Sequence, residues 1–298
     1  MATVIHSENL TKRFGEKLAN DHINLDIRAR DIYGLVGRNG SGKTTLIKQI
    51  MGSLKPTYGE IKLFDTSALD KARRRIGFAS DTNFFAHLSG YENLYYQASI
   101  KGVKDRSRID SLMKHWDLDP KDTKQYRKYS TGMKQKLALS AAMLSEPELL
   151  VLDEPINGLD PESIRHFRQT MLKLQETSGT TIFVSSHILS ELAMMCTRFG
   201  ILEKGQLIEE LTQAELHTKA QSAIYLRTTD HEATRRFFDS SNIPYEPVND
   251  AFRLQLEMFE PGELSYMLTA EGIHIVELRN EEHSLEDYYI SLIGGEDA

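Results

Sequence analysis

One octapeptide combines three glycines, a lysine and a threonine at a spacing suited to holding phosphate. It fits the pattern G-x-x-x-x-G-K-[ST] at every position and reads Gly37-Arg38-Asn39-Gly40-Ser41-Gly42-Lys43-Thr44. The glycines allow the backbone to curl around an anion with its N–H groups turned inward. Lys43 would reach the β- and γ-phosphates of a nucleoside triphosphate, and the Thr44 hydroxyl would bind Mg²⁺. The octapeptide therefore predicts a nucleoside triphosphate site.

Two adjacent acids, Asp153 and Glu154, end an apolar segment at residues 149–152. A buried strand delivers the residues at its carboxyl end to the crevice where open α/β sheets bind ligands. Asp153 could hold Mg²⁺, directly or through water, and Glu154 could polarise or deprotonate the water that attacks the γ-phosphate. The alternative is that both are solvated loop acids after a strand. The phosphate-binding octapeptide upstream favours the catalytic interpretation.

The elements around the octapeptide have the order that phosphate binding requires. Residues 32–36 form a short apolar run before it, and a helical pattern begins at Thr45. This strand, loop and helix context argues against a glycine-rich turn that matches by chance. Further along, Ser130 suits a helix N-cap and Pro161 the first turn of another helix. Strands that alternate with helices predict a mainly parallel sheet covered on both faces.

The two ends of the chain differ from this middle part. Residues 3–27 alternate apolar and polar positions, which is typical of half-buried antiparallel strands. From Tyr91 to about Trp116 the pattern is mostly helical. After about residue 211 the chain becomes acid-rich and contains no glycine-rich loop. We predict a small α+β domain there.

Composition narrows the class of protein. The chain has 298 residues, 40% of them hydrophobic, and a net charge of −7, which argues against a nucleic-acid scaffold. Cys196 is the one cysteine, so neither an intramolecular disulfide nor a zinc cage built from cysteines can form, and a reducing, cytoplasmic setting is expected. The sequence contains no signal peptide pattern and no apolar run of membrane-spanning length. Any membrane role would be exercised from outside the bilayer.

Three further motifs lie in a fixed order around the acids. Tyr129-Ser130-Thr131-Gly132-Met133-Lys134-Gln135 precedes them, Asn157-Gly158-Leu159-Asp160-Pro161 follows them, and Ser185-Ser186-His187 ends the next apolar strand. Together they resemble the signature motif, the D-loop and the switch histidine of ABC-type ATPases. The resemblance covers roughly residues 3–211. The amino-acid sequences of the motifs are most similar to those of ATPase subunits of ABC-2-type exporters for drugs, peptides or antibiotics. These subunits often carry a C-terminal extension.

The resemblance implies a role for each motif. In that family two nucleotide-binding domains meet head to tail and sandwich two ATP molecules. Each ATP contacts the phosphate loop of one chain and the signature of the other. The phosphate loop would here comprise Gly37 to Thr45, and the signature contacts would come from Ser130, Thr131, Gly132 and Met133. An anion at the start of the helix after Ser130 would also be favoured by the N–H groups and the helix dipole.

The resemblance also implies roles for three single residues. His187 would hydrogen-bond the γ-phosphate and orient Glu154, and Asp160 would assist the opposite active site. The sequence around Asp160 is also a good turn and helix entry, and both interpretations can hold together. Phe14 matches the aromatic position that stacks on adenine, although an ordinary core phenylalanine is the alternative.

The sequence departs from the family pattern at three positions. Asp81 stands where the family usually has a glutamine that contacts Mg²⁺ and water. An aspartate could still bind Mg²⁺ but cannot donate the hydrogen bond of the amide, and a solvated loop acid is the alternative. Thr131 and Met133 replace the commoner glycine and glutamine of the signature, while Ser130 and Gly132 are kept. We expect binding across the dimer to survive these changes.

These observations lead to one interpretation. We expect an α/β fold of the P-loop NTPase class and ABC type, with a mostly parallel sheet core, an antiparallel β subdomain and a helical subdomain at about 88–146. The nucleotide-binding domain would span residues 1–212, and a small α+β accessory domain residues 213–298. The resemblance implies an ATPase that uses ATP and Mg²⁺ and powers a transporter, most similar to an exporter.

The expected partners are an integral membrane permease and a second nucleotide-binding subunit, identical or not, with no nucleic acid. The chain would then work at the cytoplasmic face of the cell membrane. Two alternatives stay open at this point: an ABC-type ATPase that does not transport, and a regulatory ATP-binding module with little turnover. Such non-transport ATPases usually carry two cassettes, long coiled coils or zinc sites, whereas this chain has one phosphate loop.

Overall fold

The structure is a computed structural model that describes residues 2–79, 84–219, 223–255, 261–281 and 285–294. The chain divides into two compact units, Met1–Gln213 and Ala214–Ala298. Asp81, the candidate Mg²⁺ ligand that replaces a glutamine, lies outside the described residues. Within the described part of the chain, none of the helices combines the length and apolar character that a membrane crossing requires.

The first unit contains two sheets. Its strands are β1 (Thr3–Phe14), β2 (Lys17–Arg28), β3 (Ile32–Val36), β4 (Tyr58–Leu63), β5 (Ile76–Ala79), β6 (Leu149–Asp153), β7 (Thr181–Ser186), β8 (Arg198–Glu203) and β9 (Gln206–Thr212). Its helices are α1 (Lys43–Met51), α2 (Leu69–Arg73), α3 (Gly90–Ile100), α4 (Ser107–His115), α5 (Thr131–Met143), α6 (Pro161–Ser178) and α7 (Leu189–Ala193).

The central sheet has the order β5-β6-β7-β3-β8-β9. All neighbouring pairs are parallel except the last, in which β9 runs antiparallel to β8. Every residue of β3 and β7 is buried, as expected of parallel strands covered on both faces. Because β3, β6 and β7 are parallel neighbours, the carboxyl ends that carry the octapeptide, the two acids and His187 meet at one edge of the sheet. The predicted mainly parallel sheet is confirmed.

A second sheet of the first unit is antiparallel, with the order β2-β1-β4. Its inward residues pack against the central sheet in one continuous core that includes Ile5, Ile23 and Leu25 from this sheet with Leu35 and Ile47 behind the octapeptide. The alternating burial of β2 fits the predicted half-buried strand. The core therefore fixes β2 against the segment that begins α1.

Three helices, α3, α4 and α5, pack against one another and form the predicted helical part of the unit. The side chain of Ser89 caps α3 in a reciprocal pair with Glu92, which is the capping box that starts many helices. Buried residues on each helix, among them Leu94, Met113 and Leu137, provide the contacts.

The second unit folds around one four-stranded antiparallel sheet. Its elements are α8 (Gln213–Lys219), β10 (Ala223–Thr228), α9 (His231–Ser240), β11 (Glu246–Val248), β12 (Ala251–Gln255), α10 (Pro261–Ala270), β13 (Ile275–Glu281) and α11 (Leu285–Gly294). The sheet order is β11-β12-β10-β13, so the β-α-β-β-α-β succession from β10 to β13 is a split βαβ arrangement. Residues such as Leu226, Phe238, Phe252 and Leu268 form its core. The expected α+β class is confirmed.

Candidate nucleotide-binding site

The octapeptide forms the turn between β3 and α1, and its backbone conformation requires glycine. Gly42 is the N-cap of α1 with φ at 115°, and Gly40 has φ at 87°. A Cβ atom on Gly42 would collide with the Ala19 carbonyl, and one on Gly37 would collide with the Ser41 hydroxyl. The amide of Gly37 donates to the Ser186 carbonyl at 3.2 Å, which fixes the start of the loop to the end of β7. Only glycine permits this tight loop at the helix N-terminus.

Lys43 points into the loop and not into solvent. Its side chain is 6% exposed, and Nζ donates to the carbonyls of Gly37 at 2.6 Å and Arg38 at 3.2 Å. The same nitrogen lies 3.2 Å from Oε1 of Glu154. The loop thus holds the buried Lys43 ammonium where it can contact bound phosphates. The Glu154 carboxylate, the candidate base, lies beside this ammonium.

Thr44 and Asp153 bring two hard oxygen atoms together. The Thr44 hydroxyl donates to Oδ2 of Asp153 at 2.8 Å. In the part of the chain that the structure describes, no three His, Cys, Asp or Glu side chains cluster into a metal site. A hydroxyl and one carboxylate fit Mg²⁺, which usually takes its other ligands from substrate phosphates and water. The pair therefore fits the ion that the sequence predicted.

Glu154 and His187 contact each other beside the loop. Nδ1 of His187 lies 2.9 Å from Oε2 of Glu154, and Nδ2 of Asn157 donates to the same oxygen at 3.4 Å. Since an ionised carboxylate only accepts hydrogen bonds, this contact assigns the proton to Nδ1 of His187. Glu154 has a positive φ of 50°, an uncommon conformation for a glutamate. The predicted base and its orienting histidine are within hydrogen-bonding distance.

Ser185 links the two acids, a role that its place in the sequence does not indicate. Its hydroxyl donates to Oδ1 of Asp153 at 2.7 Å and accepts from the backbone amide of Glu154 at 3.1 Å. The residue is fully buried near the end of β7. A polar residue at the end of an otherwise apolar strand is the signal that could have found it.

We expect Ser185→Ala to reduce kcat for ATP hydrolysis by about tenfold, because both acids lose the hydroxyl that orients them. Steady-state phosphate release at saturating ATP measures the effect. Ser186→Ala is the matched control, since the Ser186 hydroxyl is also buried but, among the residues that the structure describes, accepts only from the Ile188 amide at 3.1 Å. Equal losses in the two variants would contradict the role given to Ser185.

The signature and D-loop residues occupy two neighbouring helix starts. Ser130 caps α5 by accepting from the Met133 amide at 3.2 Å, and Asp160 caps α6 by accepting from the Ser163 amide at 2.8 Å. The Ser163 hydroxyl also donates to Asp160 at 3.1 Å, and the two hydrogen bonds from Ser163 lower the pKa of the Asp160 carboxyl. A Cβ on Gly132 would lie 3.2 Å from the carbonyl of Gly158, so the two motifs pass close to each other. Ser130, Thr131 and Asp160 are exposed, while Gly132 and Met133 are half-buried.

Phe14 lies at the end of β1 with 51% of its surface exposed. The ammonium group of Lys12 lies 5.2 Å from the centre of its ring. The alternative of a core phenylalanine is therefore wrong, and the exposed ring is free to stack on a planar base.

Comparison with known proteins gives the family. The family described as "ABC transporter" matches residues 20–157. The "Bacitracin transport ATP-binding protein BcrA" of Bacillus licheniformis is 36% identical over 304 residues, which cover 99% of both chains. The protein of the same name from Enterococcus faecalis is 36% identical over 301 residues, with 99% of this chain and 98% of that one covered.

A solved structure shares the fold of the first unit. It is the dimeric, post-hydrolysis structure of the ATP-binding cassette MJ0796 bound to ADP and Pi, with a TM-score of 0.65 and 26% identity. The match covers 70% of this chain and 98% of the cassette. The alignments with the two bacitracin transport proteins extend over almost the whole chain. In the structure the phosphate loop, the two acids and the histidine meet at one edge of the central sheet. The chain belongs to the ABC transporter family, as an ATP-binding subunit that hydrolyses ATP.

Proposed function

We propose that the chain powers an exporter and that two copies, or this chain and a related one, share their ATP sites head to tail. The observation that carries the shared site is the position of Ser130 and Asp160. Each caps its own helix, and both are exposed. The N-terminus of α5 can therefore receive an anion presented by another chain. The relative solved as a dimer with ADP and Pi supports the same arrangement.

We propose that this chain contributes the phosphate loop, the metal ligands and the base to each shared site. The loop amides and Lys43 bind the β- and γ-phosphates, and Phe14 stacks on adenine. Mg²⁺, held by Thr44 and Asp153, would neutralise charge on the phosphates. Glu154 accepts the proton of the attacking water, and His187 holds its carboxylate in position. Arg38, Asn39, Gly40 and Ser41 supply the remaining turn of the loop.

The ion pair between Lys43 and Glu154 links phosphate binding to the proposed base. The Lys43 ammonium lies 3.2 Å from the Glu154 carboxylate and also faces the loop that would hold the phosphates. Phosphate oxygens then compete with Glu154 for Lys43, and the carboxylate becomes available to the water.

The transport role is proposed from the relatives. Two proteins that match along nearly the whole chain carry bacitracin transport in their names. We infer a peptide, drug or antibiotic cargo, an integral membrane permease as partner, and a position at the cytoplasmic face of the membrane. No nucleic acid is part of this proposal.

The proposal is tested by purifying the tagged chain from solubilised membranes and identifying what accompanies it. We expect a multi-span membrane protein encoded beside it, recovered in a fixed ratio. The untagged chain, carried through the same steps, is the control. Recovery with ribosomes or DNA, and without a membrane protein, would overturn the transporter proposal.

A further inference from the structure

A buried asparagine on β2 contacts the phosphate loop from behind. The Asn20 side chain is completely buried, and its Nδ2 donates to the carbonyl of Gly42 at 3.2 Å. That carbonyl also accepts from the amide of Leu46 at 2.9 Å, which closes the first turn of α1. The side chain thus holds the same peptide group that joins the loop to its helix.

The turn after β8 provides a second attachment at the preceding loop residue. The amide of Gly205 donates to the carbonyl of Ser41 at 2.8 Å. The carbonyl of Gly205 in turn accepts from the amide of Asp21 at 2.8 Å. Two consecutive loop carbonyls, of Ser41 and Gly42, are therefore bonded to groups outside the loop. Carbonyls that are drawn outward in this way leave the loop amides turned toward the phosphate side.

Packing alone does not explain an asparagine at position 20. Its Oδ1 is buried and has no hydrogen-bond partner among the residues that the structure describes. A buried amide with one unsatisfied end costs stability relative to an apolar side chain of similar size. The neighbouring inward positions of β2 are apolar, at Ile23, Leu25 and Ile27. An amide at this place is explained by the bond to Gly42.

We propose that Asn20 is a positioning residue for nucleotide binding. It holds the Gly42 carbonyl in place and keeps the left-handed conformation of Gly42 before nucleotide arrives. A loop that is already in its bound conformation loses less entropy when a ligand binds. Asn20 therefore strengthens binding of both ATP and ADP and leaves the hydrolysis step unchanged. The proposal rests on nucleotide binding at this loop and is independent of the proposed dimer and cargo.

The test is nucleotide affinity of the full-length Asn20→Leu variant. We expect Kd for ATP and for ADP to rise about tenfold, or about 1.4 kcal/mol, because nucleotide must then order a loop that the Asn20 bond no longer holds. We expect kcat at saturating ATP to stay within about twofold, since the catalytic groups keep their contacts. Thermal unfolding of the variant should occur at an unchanged or higher temperature, because the unsatisfied oxygen is removed. Equilibrium titration with a fluorescent ATP analogue and differential scanning fluorimetry provide these values.

Asn20→Leu and Asn24→Leu form a matched pair. Asn24 lies on the same strand, and its amide also donates to a backbone carbonyl, that of His22 at 3.1 Å, but it is exposed and does not contact the loop. We expect the Asn20 change to weaken binding and the Asn24 change to leave it unaltered. Unchanged affinity in Asn20→Leu, or equal losses in the matched pair, would overturn the proposal. Failure of both Asn20→Leu and Asn20→Ala to fold would also overturn it, because the amide would then serve the fold.

Discussion

Glu154→Gln is expected to lower kcat for ATP hydrolysis by about 10²–10⁴-fold, the usual contribution of a general base, and to trap the chain as an ATP-bound dimer. The amide has the shape of the carboxylate and can still accept from His187, which lies 2.9 Å away. It cannot accept a proton from water. The nucleotide would therefore continue to bridge the two chains while its hydrolysis is slow.

The same substitution removes a competitor for Lys43. In the wild type the Glu154 carboxylate lies 3.2 Å from the ammonium that phosphate must engage. A neutral amide interacts less strongly with this ammonium, so we expect ATP affinity to be retained or increased. A variant that binds ATP well and does not hydrolyse it separates the base from the binding groups.

Light scattering after size-exclusion chromatography, with and without ATP and Mg²⁺, measures the trapped dimer. Glu162→Gln makes the same chemical change at an exposed position in the first turn of α6 and is the control. We expect the control to hydrolyse ATP as the wild type does and to remain monomeric after turnover. A Glu154→Gln variant that stays monomeric with ATP and Mg²⁺, alone and with the membrane partner, would contradict the shared site.

The parts of the fold that the sequence predicted are those with local signals. The turn from β3 into α1 depends on glycines and a lysine within eight residues, so spacing alone identifies it. The buried strands β6 and β7 are continuous apolar runs ended by polar residues. Their carboxyl ends meet because parallel neighbours align, and this is why acids and a histidine distant in sequence could be assigned to one place.

The contacts that the sequence did not predict are made across long separations. Asn20 and Gly42 are 22 residues apart, and Ser185 contacts Asp153 over 32 residues. A single asparagine or serine in a strand has no motif around it, so its partner is known only after the sheets have packed. The sequence does not predict the hairpin of β11 and β12, because β11 has three residues and contains Pro247. Its turn carries Asn249 with φ at 52°, and an Asn-Asp pair was the available signal.

Mixing two inactive variants is expected to restore about a quarter of the wild-type rate, as random pairing of equal amounts would give. Lys43→Ala removes the buried ammonium from the phosphate loop. Ser130→Asp keeps a good N-cap for α5 but places a negative charge where the other chain's γ-phosphate would lie. Each variant alone should lose about 10²-fold or more, which is the usual effect of losing one charge-stabilising group.

The restoration follows from how the defects are distributed. Half of the randomly formed dimers contain one chain of each kind. In such a dimer one site joins the intact loop of the Ser130→Asp chain to the intact signature of the Lys43→Ala chain, and the other site carries both defects. Ser107→Asp, which adds a negative charge at an exposed position in the first turn of α4, controls for the added charge. If Ser130 served the ATP of its own chain, the mixture would show only the sum of the two separate rates, because no pairing would then assemble an intact site.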